Sequence, residues 1–135
     1  MKFISIRVIT RDILRMVDFY QRMTGIAPKW YTPDFAEIIT PAGTLAIASE
    51  RTMQLFAVGA ARPAENHSVI LELMVVDVDA TYRELASLIG ESLLQEPTTM
   101  PWGNRSLLFR DPDGNLVNVF TPVTEAAIQK FARYG

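Results

Sequence analysis

The alternation of apolar and polar positions predicts a strand followed by a helix at the start of the chain. Residues 3–10 alternate and place Ile6 and Arg7 on opposite sides, which is the period of a β-strand. From residue 13 to residue 23 the apolar positions recur at helical spacing. This segment lies between Asp12, a typical helix N-cap, and Gly25, a typical C-terminal stop. We therefore predict a helix there.

Short β-prone runs follow the helix and then give way to an irregular segment. The runs lie at 28–31, 35–40 and 44–49, and turn-forming residues separate them. Residues 50–66 have no periodicity and contain glycine and proline, which is typical of a loop. We interpret this segment as the connection between two halves of the chain.

The same order of elements is predicted again after the loop. Residues 68–75 alternate, and Asp77 is placed to cap a helix that runs to about Ile89, before Gly90. Three more β-prone runs lie near 93–97, 104–109 and 116–120, and residues 123–134 are predicted to form a short final helix. The order βαβββ therefore occurs twice.

This repeat predicts an α+β fold with two tandem βαβββ modules. Each module has one helix for a sheet with two faces, so the second face must meet something else. We expect the modules to form a curved mixed sheet around a trough, with the helices outside. The chain is predicted to be a single domain over 1–135, with module one at about 1–50, a linker at about 51–66, module two at about 67–121 and the C-terminal helix at about 123–134.

Composition and charge exclude several classes of function. The 135 residues are 49% hydrophobic, and the net charge of −2 comes without any Lys/Arg run, so we expect no nucleic-acid partner. Cysteine is absent and His67 is the single histidine, which leaves little for thiolate or imidazole sites. No apolar stretch approaches the roughly 20 residues that span a bilayer. The start of the chain lacks a secretory pattern, so we expect a cytoplasmic protein with no membrane partner.

Three features together resemble one known superfamily. They are the βαβββ repeat, the sequence Pro-Trp-Gly at 101–103, and the sequence Phe-Arg-Asp-Pro-Asp-Gly-Asn at 109–115. In these the chain resembles the vicinal oxygen chelate superfamily, which includes glyoxalase I, extradiol dioxygenases and the bleomycin-resistance and fosfomycin-resistance proteins. The resemblance covers the whole chain, and it also implies a homodimer. The Asp-Pro-Asp-Gly sequence itself is explained by a tight turn rather than by catalysis.

Metal-dependent members of that superfamily place His, Gln or Glu ligands on the first and last strands of their modules. The resemblance puts the corresponding positions at Ser5, Ile70, Asn118 and Ala46, or at Ile47 if the alignment moves by one residue. None of these is a usual ligand, because a divalent cation needs several converging donors. We therefore expect no metal and no other cofactor.

Arg7 and Glu72 are two oppositely charged residues that are predicted to lie in the trough. They lie two residues along from Ser5 and Ile70, on the faces predicted to point inward, and we predict that they form an ion pair on the trough floor. The pair has two interpretations. It is either a structural salt bridge that keeps the modules in register, or a functional pair in which Glu72 is a general base or Arg7 anchors an anionic ligand.

Aromatic residues are placed to line the rim of the same trough. Trp102 shares strand parity with Asn104 and Ser106 and so is predicted to face the trough. Trp30, Tyr31, Phe35 and Phe56 lie in outer strands or the linker of the first module. These rings suit stacking on a planar ligand, although any one of them could instead fill core or a subunit interface.

The leading hypothesis is a metal-free small-molecule binding protein that resembles bleomycin-resistance proteins and sequesters an aromatic or peptide-like compound. The alternatives are a divergent lyase, isomerase or dioxygenase-like enzyme that uses Glu72 or an unrecognised metal site, and a module whose trough is filled by its own side chains. The residues predicted to bind the ligand are Ser5, Arg7, Trp30, Phe35, Phe56, Ile70, Glu72, Trp102, Asn104, Ser106 and Asn118.

Overall fold

The computed structural model describes all residues, 1–135, and shows the first βαβββ module at the start of the chain. Its elements are β1 (Ser5–Thr10), α1 (Ile13–Thr24), β2 (Lys29–Thr32), β3 (Phe35–Ile39) and β4 (Thr44–Ser49). A 3₁₀ helix at Glu50–Leu55 follows β4, within the segment that we predicted to be irregular.

The second module repeats this order. Its elements are β5 (Ile70–Met74), α2 (Val78–Ile89), β6 (Leu93–Thr99), β7 (Asn104–Arg110) and β8 (Leu116–Pro122), followed by the short helix α3 (Glu125–Phe131). Two further 3₁₀ turns lie at Gly90–Ser92 and Ala132–Tyr134. By its contacts the chain divides into two units, Met1–Asn66 and His67–Gly135. None of its helices is long and apolar enough to span a membrane.

The predicted capping residues begin and end the helices. The side chain of Asp12 accepts a hydrogen bond from the backbone N–H of Arg15 at 3.1 Å, and Gly25 ends α1 in the left-handed conformation with φ of 71°. Asp77 caps α2 in the same way, through the backbone N–H groups of Asp79 and Ala80. These bonds satisfy N–H groups that have no partner within the helix.

Both sheets have the same topology. The strand order is β1-β4-β3-β2 in the first and β5-β8-β7-β6 in the second. In each, the first strand pairs in parallel with the last and the remaining pairs are antiparallel. The α+β class and the repeat predicted from the sequence are thereby confirmed, with a four-stranded mixed sheet in each unit.

Each long helix packs on one face of its own sheet. In the first unit, Ala36, Ile38 and Ile47 are buried on the face that α1 covers, opposite residues such as Met16 and Tyr20. In the second unit the equivalent core contains Leu107, Phe109 and Val117 from the sheet and Val78, Leu85 and Ile89 from α2. We call the other face of each sheet, opposite α1 or α2, its open face. Strand alternation assigns Ser5, Arg7, Phe35, Glu37, Ala46 and Ala48 to the first open face, and Ile70, Glu72, Met74, Ser106, Asn118 and Phe120 to the second.

The Asp-Pro-Asp-Gly sequence forms the turn between β7 and β8, as predicted. Asp111 Oδ1 accepts the backbone N–H groups of Asp113 at 2.9 Å and Asn115 at 3.0 Å, while Oδ2 accepts the Asn115 amide at 2.8 Å. Gly114 adopts a φ of 84° that few other residues tolerate. The acidic side chain of Asp111 therefore holds the hairpin together.

Candidate functional site

The first open face has a row of small side chains between larger ones. Arg7 pairs with Ala46 across β1 and β4, and Glu37 pairs with Ala46 from the other side. The next row contains Ala48 paired with Phe35. Both alanines lie in an interior strand of the sheet and are buried although they are on the open face.

Arg7 lies at the centre of a group of aromatic rings. Its guanidinium carbon is 4.8 Å from the centroid of Phe35 and 5.7 Å from that of Phe56. The Phe35 ring contacts Tyr31 at 5.7 Å between centroids, and the ammonium of Lys29 lies 5.1 Å from the Tyr31 ring. We call these five residues the aromatic–cation cluster. Attraction between cations and ring faces stabilises such a group.

The structure brings together some of the aromatic residues predicted for the first module and not others. Phe35 and Phe56 lie in the aromatic–cation cluster. Trp30 pairs with Ala36, which lies on the face that α1 covers. Trp30 is therefore on the helix-covered side of the sheet and not on the open face. Tyr31, the next residue, lies on the open face by strand alternation and contacts Phe35.

The second open face carries the polar residues predicted for the second module. Glu72 pairs with Asn118, and Leu108 pairs with Asn118 from the other side. Ser106 lies in the adjacent row, paired with Phe120, and Asn104 follows two positions from Ser106 on the same face. Ile70 occupies the neighbouring row at the edge. The register therefore places these residues on one face of the second sheet.

Several polar atoms on this face are buried without a hydrogen-bond partner. They are Asn104 Oδ1, Ser106 Oγ and Asn118 Oδ1. Asn104 is 7% exposed and Ser106 is 3% exposed. Leaving a buried acceptor unpaired costs about 1–3 kcal/mol, and such an atom in a native protein calls for a partner such as water or a ligand. We call Glu72, Asn104, Ser106 and Asn118 the acceptor cluster.

The C-terminal helix borders one end of the second open face. Phe131 of α3 contacts Phe120 with ring centroids 5.0 Å apart. The turn between β6 and β7 approaches the start of the same helix, because the carbonyl of Gly103 accepts hydrogen bonds from the N–H groups of Val123 and Thr124. This end of the face is therefore covered, whereas Glu72, Ile70 and Met74 remain exposed.

Trp102 lies at the tip of that turn and not within a strand. Strand β7 begins at Asn104, so the parity argument that pointed the indole inward does not apply to it. Trp102 is 66% exposed, which agrees with the expectation that it lies outside the helix-side core. Its role in ligand binding stays a prediction.

The two charged residues that we predicted to pair each have neighbours within their own unit. Arg7 contacts the rings of Phe35 and Phe56, and Glu72 accepts a hydrogen bond from Asn118 at 2.8 Å. The ion pair between Arg7 and Glu72, and the trough in which it was placed, stay predictions.

One carboxyl group with a perturbed pKa, that of Asp79, lies away from both open faces. Arg105 donates from Nε and Nη2 to the two carboxylate oxygens of Asp79, at 2.9 Å and 3.0 Å. This two-point hydrogen bonding lowers the pKa of Asp79 below its usual value and raises the pKa of Arg105. Because Arg105 is on the face that α2 covers, the pair joins the start of that helix to its sheet.

The four positions that the resemblance assigns to metal ligands do not fit a divalent cation. Register places Ala46 on the open face with Arg7 and turns Ile47 toward the helix, so Ala46 is the relevant position. Methyl and alkyl groups at Ala46 and Ile70 donate nothing, and Ser5 and Asn118 offer only neutral oxygens. No group of three or more His, Cys, Asp or Glu side chains comes together in the chain.

Comparison with known proteins agrees with this architecture. A model of the glyoxalase/bleomycin resistance protein/dioxygenase superfamily matches residues 2–119. An uncharacterized protein of Bacillus subtilis (strain 168), YraH, is 26% identical over 125 residues, which cover 89% of this chain and 98% of that protein.

Solved structures show the same fold. A glyoxalase/bleomycin resistance protein/dioxygenase family enzyme from Burkholderia phytofirmans PsJN superimposes with a TM-score of 0.78 at 18% identity, covering 88% of this chain and 97% of that one. A glyoxalase-related enzyme from Fulvimarina pelagi gives a TM-score of 0.74 at 23% identity, covering 89% and 87%. At these identities the similarity concerns the fold alone.

Proposed function

Because this chain belongs to the glyoxalase/bleomycin resistance protein/dioxygenase superfamily, we propose that it is a metal-free binding protein for an aromatic or peptide-like small molecule. It belongs to a branch similar to the bleomycin-resistance proteins and holds its ligand without making or breaking a bond. The observation that carries this proposal is the aromatic–cation cluster on the first open face.

The cluster is suited to a planar guest. Tyr31 and Phe56 are exposed and Phe35 is half-buried, so ring surface is available to a ligand. Stacked or edge-to-face aromatic pairs contribute about 0.5–1.5 kcal/mol beyond the burial of area. Arg7 adds a delocalised cation whose hydrogen-bond donors have no acceptor within the first unit.

Binding without a metal is supported by the chemistry at the positions where the family's metal enzymes bind their ion. Ser5, Ala46, Ile70 and Asn118 lack the charged or imidazole donors that such an ion requires. The enzymatic alternative with Glu72 as base is not favoured, because that carboxylate is exposed and hydrogen-bonded to Asn118. Glu72 is better suited to accept hydrogen bonds than to move a proton.

We also propose that the protein is a cytoplasmic homodimer. The edge strands support self-association, since β1 and β5 are at the edges of their sheets. Apolar side chains such as Ile4 and Ile70 are exposed there. Exposed apolar side chains at the edge of a sheet favour association with another chain. Sedimentation equilibrium tests this directly, and a monomer at all concentrations would contradict it.

A thermal-shift screen of aromatic and peptide-like compounds tests the binding proposal. A ligand at about 100 times its dissociation constant stabilises the folded protein by roughly 2.7 kcal/mol. Hits are compared between the parent, Phe35→Leu, and a control, Tyr82→Leu, which removes a ring from α2. We expect Phe35→Leu to weaken binding about tenfold or more and the control to leave it unchanged.

Two results would contradict the proposal. One is a hit that binds the Phe35→Leu protein as tightly as it binds the parent and the Tyr82→Leu control. The other is conversion of the ligand into a new compound during incubation, which chromatography of the recovered ligand detects.

A further inference from the structure

Arg7 is a charged residue of the first open face whose hydrogen bonds are unused within its own unit. Its guanidinium carbon lies 4.8 Å from the centroid of Phe35 and 5.7 Å from that of Phe56. The side chain is exposed, and no oxygen of the first unit accepts a hydrogen bond from it. A guanidinium has five N–H donors and no acceptor. A ligand group that meets Arg7 therefore has to accept hydrogen bonds.

The two rings hold the guanidinium before any ligand binds. Phe35 belongs to β3 and is half-buried, so the sheet fixes its position. Attraction between the cation and the faces of Phe35 and Phe56 restricts the long side chain of Arg7. Less side-chain entropy is then lost when a ligand binds to it.

The charges on the first open face favour a ligand with one negative charge. The strands of this unit place three charged residues there, Arg7, Lys29 and Glu37, and Lys29 is the direct cross-strand partner of Glu37. Opposite charges at such a pair of positions offset each other, which leaves the charge of Arg7 without a counterpart on this face. A monoanion balances that charge, whereas a dianion would bring an excess of negative charge near Glu37.

Accessible ring surface for the rest of the ligand lies beside this cation. Tyr31 is 51% exposed and Phe56 is 57% exposed. Phe56 contacts Arg7 directly, and Tyr31 contacts Phe35, the other ring beside the guanidinium. An aromatic ring of the ligand can therefore stack on Tyr31 or Phe56 while its acidic group meets Arg7.

We propose that the aromatic–cation cluster binds an aromatic carboxylate, whose two oxygens accept N–H bonds from Arg7. The planar fork of the guanidinium matches a carboxylate at two points. The inference rests on the proposed function and adds to it the chemical class of the ligand. It also favours Arg7 as the anchor of an anion over a structural ion pair with Glu72, because a guanidinium engaged by a carboxylate of the protein is not free for one of the ligand.

Benzoate, benzamide, benzamidine and phenyl phosphate test this proposal, because they share one ring and differ in charge. The full chain is labelled with ¹⁵N and titrated with each compound at neutral pH while its backbone amide resonances are recorded. Ligands of this size bind in the range of about 1 mM. We expect benzoate to bind at least about tenfold more tightly than benzamide or benzamidine and to shift amides of β1 and β3. Phenyl phosphate should bind no more tightly than benzoate, and added salt should weaken benzoate binding more than benzamide binding.

Variants of Arg7 assign the effect to its side chain. Arg7→Gln removes the charge and should weaken benzoate binding about tenfold while changing benzamide binding little. Arg7→Lys keeps the charge without the planar fork and should give an intermediate affinity. Arg15→Gln is the matched control, because it removes the same charge from an exposed position of α1, which covers the other face of the sheet, and it should have no effect. The amide resonances of each ligand-free variant show whether it is folded.

The outcomes separate this inference from the proposed function. Equal binding of benzoate and benzamide, or tighter binding of benzamidine or phenyl phosphate, would overturn the carboxylate class and leave aromatic binding in place. Equal affinity of the parent and either Arg7 variant for benzoate, or shifts confined to the second unit, would overturn it as well. If no compound shifts a resonance at about 10 mM, both proposals are wrong.

Discussion

Asn118 and Glu72 are joined by a hydrogen bond of 2.8 Å across the parallel strands β5 and β8. The two residues are 46 positions apart in the sequence, so their bond ties the first strand of the second module to its last. The same bond orients the Asn118 amide, because a carboxylate accepts hydrogen bonds and does not donate them.

A double-mutant cycle on this pair should show coupling. Glu72→Ala and Asn118→Ala each remove one partner, and the double variant removes both. Because the bond involves a charged group but is exposed, we expect a coupling free energy of about 1 kcal/mol from urea unfolding. Additive effects of the two single substitutions would show that the hydrogen bond contributes nothing in solution.

The ion pair between Asp79 and Arg105 should make stability depend on pH in the acid range. Since the pKa of Asp79 is lowered in the folded protein, the folded state favours the ionised carboxylate. Its contribution is present above pH about 4 and is lost as the pH falls through the folded-state pKa. The difference in unfolding free energy between the parent and Asp79→Asn should therefore shrink as the pH is lowered.

Urea unfolding at a series of pH values measures that difference. Asp18→Asn serves as the comparison, because Asp18 lies near Arg22 at 3.7 Å on the surface of α1 without the two-point hydrogen bonding. If the difference in unfolding free energy between the parent and Asp79→Asn stayed constant from neutral to acid pH, the ion pair would not make stability depend on pH.

Gly103 should be more sensitive to substitution than Gly114. Both have a positive φ, 95° and 84°, so alanine costs about 1 kcal/mol or more at either position. At Gly103 a Cβ would also lie 2.1 Å from Thr124 Oγ1, whereas nothing lies within 4 Å at Gly114. We expect Gly103→Ala to lower the melting temperature several degrees more than Gly114→Ala. Equal losses would mean that the turn and α3 do not pack as described.

Trp102 should contribute little to stability. Its side chain is 66% exposed, while Leu71 is 7% exposed in the core beneath α2. Leu71→Ala leaves a cavity and should cost about 2–5 kcal/mol, whereas Trp102→Ala should cost less than about 1 kcal/mol. Thermal unfolding compares the two variants. A Trp102 variant that unfolds as readily as the Leu71 variant would place the indole in the core.

The repeated elements could be predicted because each begins and ends at residues with a clear physical role. Asp12 and Asp77 cap helices, and strict alternation in β1, β5 and β7 separates the helix-covered side from the open face. Once the two faces are assigned, the alternation of side chains along each strand is enough to place Glu72, Ser106 and Asn118 on the same face.

The remaining features depend on contacts that parity does not describe. Trp30 pairs with Ala36 on the helix-covered side, a register that the sequence does not reveal, and Trp102 lies in a turn. Lys29 joins the aromatic–cation cluster through Tyr31, and nothing in its sequence neighbourhood singles it out. The small residues Ala46 and Ala48 were a usable signal, since their alternation with Leu45 and Ile47 distinguishes the two faces of β4.

Ligand affinity with and without metal is the most direct test of the account. An aromatic hit is titrated by calorimetry into protein treated with chelator, and again after addition of Zn²⁺, Mn²⁺ or Ni²⁺. Because Ser5, Ala46, Ile70 and Asn118 offer no adequate donor set, we predict the same dissociation constant in every titration. Binding that is lost with chelator and restored by one equivalent of metal per chain would contradict the central claim.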